Sequence, residues 1–343
     1  MPEIAKQAIL DFYTYPPIGG DDWQYVFETA EVRALEIGML SRSLLLDMAN
    51  AEDFAQASEL LSGTEYAVGT AGDFGRVEGM LGERRAAIRE LFAQLMHDAR
   101  IVELLKSRDD FANLRLAMRR VLTGKPVGGD YSPDGNASPD VFGNVFEEER
   151  YDLLPEYMRQ AADAAVLAYY EKKDVRQIDY AIDAAEAGYN LAKARRLGSA
   201  FLTGLFKIQI DLTNIRTMFR LKFRESEDRK VFLDGGFIEL ERFIHGLDLG
   251  YEALGPLFFV TPYHRIVEAG AAYLTSNKSF LKLEQQCDEH LGGFLKLTVQ
   301  ITAGPQPIIA YLLKKENEIR TVRLILTAKR NALDTKLILD RIA

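Results

Sequence analysis

The sharpest candidate for chemistry in this 343-residue chain is Asp109-Asp110-Phe111-Ala112-Asn113. Magnesium is a hard cation that takes oxygen ligands, and carboxylates about one turn apart on a helix can share it while it holds a diphosphate. Asp109 and Asp110 supply two of the three acids of an Asp-Asp-x-x-Asp motif. Asn113 stands where a further acid is needed, and no second acidic motif completes a cluster. The simpler reading puts both aspartates at a helix N-terminus, capping free N–H groups and complementing the helix dipole. His97, His245, His264 and His290 are scattered, whereas a zinc site needs close ligand spacing. They read as ordinary helix residues. Cys287 has no Cys-x-x-Cys companion and reads as a small, half-buried residue. No Gly-x-x-x-x-Gly-Lys-Ser/Thr loop is present, and Gly69, Gly72 and Gly75 have the wrong spacing for a dinucleotide fingerprint. The expectation is therefore no catalytic residue, no cofactor and no metal.

Three arginines are more informative. Asn113-Leu114-Arg115, Asn214-Ile215-Arg216 and Glu318-Ile319-Arg320 share one pattern, and their arginines are 101 and 104 residues apart. Glycine-rich turns follow the first two, at Pro126-Val127-Gly128-Gly129 and Asp234-Gly235-Gly236. Near-equal spacing over the whole chain predicts three copies of one helical unit. Arg320 has Glu316 four residues before it, so a surface ion pair accounts for it. Arg115 and Arg216 have their nearest preceding acids, Asp110 and Asp211, at five residues, off the same face. Two roles stand side by side: equivalent arginines lining an interface or common cavity, or bracing helix pairs within each copy.

The elements that position these residues are helical. Residues 75–107 place Val77, Leu81, Ile88, Leu91, Leu95, Ile101, Val102 and Leu105 mostly three, four or seven apart, which predicts one long amphipathic helix. Residues 24–49, 155–197 and 200–224 read the same way, and no segment requires a strand. Residues 124–146, rich in Pro, Gly, Asp, Asn and Ser, read as a surface loop or linker. Breaks are expected at Asp234-Gly235-Gly236 and at Thr302–Pro307. The predicted domains are 1–126, 127–236 (opening with the loop at 124–146) and 237–343.

Composition sets limits. With 48% hydrophobic and 27% charged residues the chain is neither disordered nor fibrous. A net charge of −9 makes it a poor partner for nucleic acid or anionic lipid. Residues 237–343 are net +1, unlike the acidic remainder. One cysteine excludes an intrachain disulfide framework. The start lacks the pattern of a secretory leader, and no run of 18 apolar residues marks a spanning helix.

Three stretches resemble a known family. Tyr25-Val26-Phe27, Ala30-Glu31-Val32-Arg33-Ala34-Leu35-Glu36 and Met39-Leu40 are similar to the opening helix of the C subunit of V/A-type rotary ATPases, which is related to the d subunit of the eukaryotic vacuolar enzyme. Asp211–Arg216 with Phe232–Gly236 is similar to the second-repeat helix, and Pro307–Arg320 is the closest match. The family usually has Arg where Glu31 stands and Pro where Asp234 stands, so this is a divergent member. The resemblance implies an all-α protein of three similar domains around a pseudo-threefold axis, shaped like a funnel. It implies a non-catalytic central-stalk subunit, peripheral on the cytoplasmic side of the membrane, linking D- and F-type shaft subunits to the membrane rotor ring and serving ATP-coupled proton or sodium transport. The alternatives are a magnesium-dependent enzyme of the all-α isoprenoid-synthase kind and a helical-repeat scaffold for other proteins.

Overall fold

The computed structural model describes residues 14–67, 74–125, 130–147, 150, 153–226 and 228–342. Gly69, Gly72 and the turn Pro126–Gly129 lie outside the described residues. Every regular element among the described residues is helical, in line with the all-α expectation. In chain order the helices are α1 (Val26–Glu36), α2 (Arg42–Asn50), α3 (Phe54–Glu59), α4 (Phe74–Leu95), α5 (Ala99–Thr123), α6 (Pro139–Glu147), α7 (Glu156–Lys172) and α8 (Val175–Arg196). They continue with α9 (Ala200–Phe223), α10 (Leu240–Asp248), α11 (Tyr251–Leu257), α12 (His264–Asn277), α13 (Leu281–Lys296), α14 (Pro305–Arg330) and α15 (Thr335–Ile342).

Local chemistry divides what periodicity alone joins. The long helix expected over 75–107 is two helices, α4 and α5. Asp98 adopts an extended backbone, and its side chain accepts from the Arg100 N–H, starting α5 afresh. Residues 155–197 are likewise divided: Lys173 takes a left-handed conformation (φ 51°), and Asp174 caps α8 through the Arg176 N–H. Residues 24–49 hold α1 and α2, with Ser41 capping the latter. The loop expected over 124–146 ends in a helix, since α6 begins at Pro139, where a missing N–H costs nothing. The breaks expected at 234–236 and 302–305 are present, and Pro305 opens α14.

The chain forms two compact units, residues 1–97 with 249–343, and residues 98–248. In the first unit α14 is the spine, contacted by α1, α2, α3, α4 and α13. Its buried residues Ile308, Ile319, Val322, Ile325 and Leu326 share that unit's core with Val32, Met48, Leu61, Leu81 and Phe92. In the second unit α5 packs on α7 and α8 around Phe111, Leu114, Met118, Phe142, Met158, Ile178 and Ile182. α9 packs on α8 and α10 and buries residues around its whole circumference. These units are drawn from packing; the thirds at 126 and 236 are a division of the sequence.

Candidate functional site

Asp109 and Asp110 do not cap a helix N-terminus. They lie near the middle of α5, 5% and 0% exposed. Asp110 Oδ1 accepts from the backbone N–H groups of Asn136 (2.8 Å) and Ala137 (3.0 Å). Its Oδ2 accepts from Asn136 Nδ2 (2.8 Å) and the Tyr157 hydroxyl (2.6 Å). One turn on, Asn113 closes a two-way pair with the Ser132 backbone, Nδ2 to O and N to Oδ1, both 2.8 Å. Asp109 accepts from Ser132 Oγ at 3.3 Å. The motif that suggested magnesium is thus a lock that fastens the 130–138 loop to α5. Burial, followed by the Asp110 hydrogen bond, raises the Tyr157 pKa, so its hydroxyl stays a donor.

The same lock recurs on α9. Asp211 Oδ2 accepts from Phe237 N at 3.0 Å and Oδ1 from Ile238 N at 3.2 Å. Asn214 pairs with both backbone groups of Leu233 at 2.8 Å. Positions 110 to 211, 113 to 214, 132 to 233 and 137 to 238 are all shifts of 101, the offset that relates Arg115 to Arg216. A Cβ on Gly135 would lie 2.4 Å from Asp110 Oδ1, and one on Gly236 would lie 2.1 Å from Asp211 Oδ1, so the carboxylates reach the loops only because these residues are glycine.

A third version stands on α14, inside the first unit. Glu318 stands at the asparagine's position in the sequence pattern but makes the aspartate's contact: its Oε2 accepts from Leu40 N at 2.6 Å. Its Oε1 accepts from the Tyr66 hydroxyl (2.7 Å) and Lys315 Nζ (2.5 Å). Lys315, only 4% exposed, also pairs with Glu65. Leu40 follows Gly38 by two residues, as Ala137 follows Gly135 and Ile238 follows Gly236. Each of these segments leads into a nine-residue helix: α2, α6 and α10. The available signal was the phrase Gly-x-apolar before a short helix, hidden because its third instance lies near the N-terminus, far from α14 in sequence.

The three arginines stand in different surroundings. Arg115 faces α8, where Asp179, Asp183 and Glu186 share one side. It pairs with Asp183 and lies 3.8 Å from Asp179 and 3.9 Å from Glu186. Arg119 joins them through Asp179, with Nε at 2.9 Å. Arg216 is half-buried on α9 and is engaged there. Arg320, exposed on α14, donates to Asn317 Oδ1 at 2.7 Å and lines a cleft of about 260 Å³ that also includes Arg42, Lys296 and Arg341. Glu316, the acid one turn before it, receives Arg89 at 2.7 Å.

Burial pushes the Glu186 carboxyl up to about 7, against the opposing pull of Arg115, and raises Asp183 for the same reason. The folded state therefore holds a proton that the unfolded state has released, and stability falls as pH rises from about 4.5 toward 7. Glu186→Gln removes that titration. Urea unfolding of the variant is expected to show a flatter pH profile and a gain of about 1–2 kcal/mol at pH 8.

His290 sits in α13 between the Tyr15 and Tyr263 rings, and burial lowers its pKa to about 4. His264 Nδ1 lies 2.8 Å from the Gly255 carbonyl oxygen, and His97 Nε2 lies 2.9 Å from Glu28. Cys287 is fully buried rather than half-buried. Among the described residues no group of His, Cys, Asp and Glu side chains is arranged to hold a metal ion.

Fold and site together define a class: an all-helical, internally repeated protein whose buried polar groups fasten loops to long helices. The chain belongs to the ATP synthase (C/AC39) subunit family, whose profile matches residues 29–341. It is 24% identical over 312 residues to the V-type sodium ATPase C subunit of Enterococcus hirae, covering 88% of this chain and 92% of that one. It is 27% identical over 326 residues to the V-type ATP synthase C subunit of Thermus thermophilus, covering 90% and 94%. Among the described residues no helix is long and apolar enough to cross a membrane.

Proposed function

We propose that this chain is the non-catalytic central-stalk adaptor of a V/A-type rotary ATPase, joining D- and F-type shaft subunits to the membrane rotor ring on its cytoplasmic side. The observation that carries this reading is the family match from residue 29 to residue 341, nearly the whole chain. The repeated locks support it. An element that passes torque between a narrow shaft and a wider ring must not yield, and close-packed helices with loops pinned by buried carboxylates resist deformation. In this reading each lock ties one of three domains, 1–126, 127–236 and 237–343, to the next, and the domains are arranged as a funnel about a pseudo-threefold axis. The shaft contact needs the area of a stable complex. The ring contact, through polar loops, is weakened by salt.

The magnesium-dependent enzyme loses its basis, because Asp110 is already committed to four donors. The test of the adaptor reading is affinity purification of the tagged chain from gently solubilised membranes. Shaft subunits and ring proteolipid in stable proportion are expected; the chain alone, from membranes whose ATPase stays intact, overturns the reading. Replacing Arg115, Arg216 and Arg320 together by Glu is expected to lower recovery of those subunits at least tenfold. In the same variant, Arg115→Glu places an anion beside Asp179, Asp183 and Glu186, so the second unit should also lose about 2–4 kcal/mol by urea unfolding. If Arg115 only braces the helices, Arg115→Glu alone reproduces the whole loss of stability, and Arg216→Glu with Arg320→Glu does not change recovery.

A further inference from the structure

Residues 23–37 run from a short 3-10 turn (Trp23–Tyr25) into α1. Tyr25, Thr29 and Val32 point into the first unit and are buried. The opposite side is apolar and open to solvent. Trp23 is 67% exposed, Phe27 84% and Ile37 86%. Ala30 and Ala34, also exposed, complete the line. The steps along Trp23, Phe27, Ala30, Ala34 and Ile37 are four, three, four and three, the alternation that forms the seam of a coiled coil. Bulky residues stand at both ends and alanines in the middle, where a second helix can approach closely.

A hydrophobic stripe of this kind is unusual on a surface that meets only water. Its aromatic side chains alone expose on the order of 100–200 Å² each, enough for the apolar centre of an interface of about 800 Å² per partner. Charge narrows the choice of occupant. Glu28 is held by His97, and Glu36 by Arg33 and Lys314. Arg33 is also turned inward, onto the Thr298 carbonyl at 2.6 Å. Glu31 remains exposed beside the seam, so the flank displays negative charge.

We propose that this face seats an α-helix of another protein, one with an apolar stripe at heptad spacing and a Lys or Arg where it passes Glu31. The proposal deepens the adaptor reading and rests on it in one respect: the helix is taken to belong to another subunit of the same ATPase.

The test places a photo-crosslinking amino acid at position 30 of the full-length chain, irradiates living cells, and then purifies and maps the products. The expected product joins position 30 to an amphipathic helical segment of another ATPase subunit, with a basic residue near the crosslink. Ala30→Lys and Glu31→Lys are each expected to weaken retention of that subunit at least tenfold. Both sites are exposed, so the melting temperature of the isolated chain should not move, and acrylamide should quench Trp23, the chain's one tryptophan, as freely as before. Crosslinking precedes solubilisation, which separates the two ideas. ATPase subunits recovered with no crosslink from position 30, or with crosslinks only to lipid, to a second copy of this chain or to an irregular segment, overturn the seam and leave the adaptor. A crosslinked helix from a protein outside the ATPase, with no ATPase subunit recovered from membranes whose ATPase stays intact, keeps the seam and overturns the adaptor.

Discussion

Asp211→Ala is expected to cost about 3–5 kcal/mol. The substitution takes the acceptor away from the backbone N–H groups of Phe237 and Ile238, which donate to this carboxylate at 3.0 and 3.2 Å. Each buried donor left unsatisfied costs about 1–3 kcal/mol, and a charged acceptor puts the loss near the upper end. The unfolding transition that includes residues 98–248 should therefore fall by roughly 6–20 °C. Asp211→Asn keeps one acceptor oxygen but sets an NH2 donor against the other N–H, so it should recover only part of the loss. A second variant separates the lock from general damage to α9. Gly236→Ala puts a Cβ 2.1 Å from Asp211 Oδ1 and is destabilising in the native background. With Ala at 211 the clashing oxygen is gone, so Gly236→Ala should cost distinctly less there. A coupling of about 1–3 kcal/mol in the double-mutant cycle is expected; strict additivity would mean that loop and helix are not joined through this contact.

Glu318→Ala is expected to do comparable harm in the other unit. Glu318 is 5% exposed and serves three donors: Leu40 N, the Tyr66 hydroxyl and Lys315 Nζ. Its removal leaves Lys315 buried with Glu65 as its remaining carboxylate. Breaking a buried pair from one side typically costs about 3–5 kcal/mol, because the surviving charge stays out of water. Urea unfolding gives the size, and hydrogen exchange gives the location: protection of the Leu40 amide should collapse in Glu318→Ala while amides within α9 keep theirs. Lys315→Met should be milder, since Glu318 retains Tyr66 and Leu40. If Lys315→Met proves the more damaging, the ammonium rather than the Leu40 contact holds this part of the unit.

These expectations differ in how far the sequence foreshadows them. The offset of 101 residues between Arg115 and Arg216 is plain in the sequence, and it also relates the Asp, the Asn and their backbone partners in the two locks on α5 and α9, while Tyr157 and Asp109 serve the α5 lock alone. The short phrases around each arginine were legible; their partners at 132–137 and 233–238 were not, because a hydrogen bond closing across 19 to 27 residues has no period. The sequence misleads outright at two places. Asp109-Asp110 has the composition of a metal or capping site, yet α5 begins at Ala99, just after its Asp98 cap, so the pair lies mid-helix and turns its oxygens on a loop. On α1, hydrophobicity alone would bury Phe27 and Ile37. Instead Thr29 faces inward, its Oγ accepting from Gly304 N at 3.0 Å and donating to Gly304 O at 3.3 Å, and the more apolar side is left open.

Residues close together along the chain thus suffice to show that it is helical, where Pro305 and Gly235-Gly236 interrupt it, that its units repeat, and which family it resembles. Those features rest on local propensity and period, carried by neighbours, and on short phrases that recur at a near-constant offset. Packing was needed to select which polar residues became locks, to close Leu40 on Glu318 across 278 residues, and to choose which face of α1 is displayed. The reason is that a buried N–H or carboxylate must find a partner wherever folding brings one, and that partner is set by contacts across the unit rather than by any residue nearby in sequence.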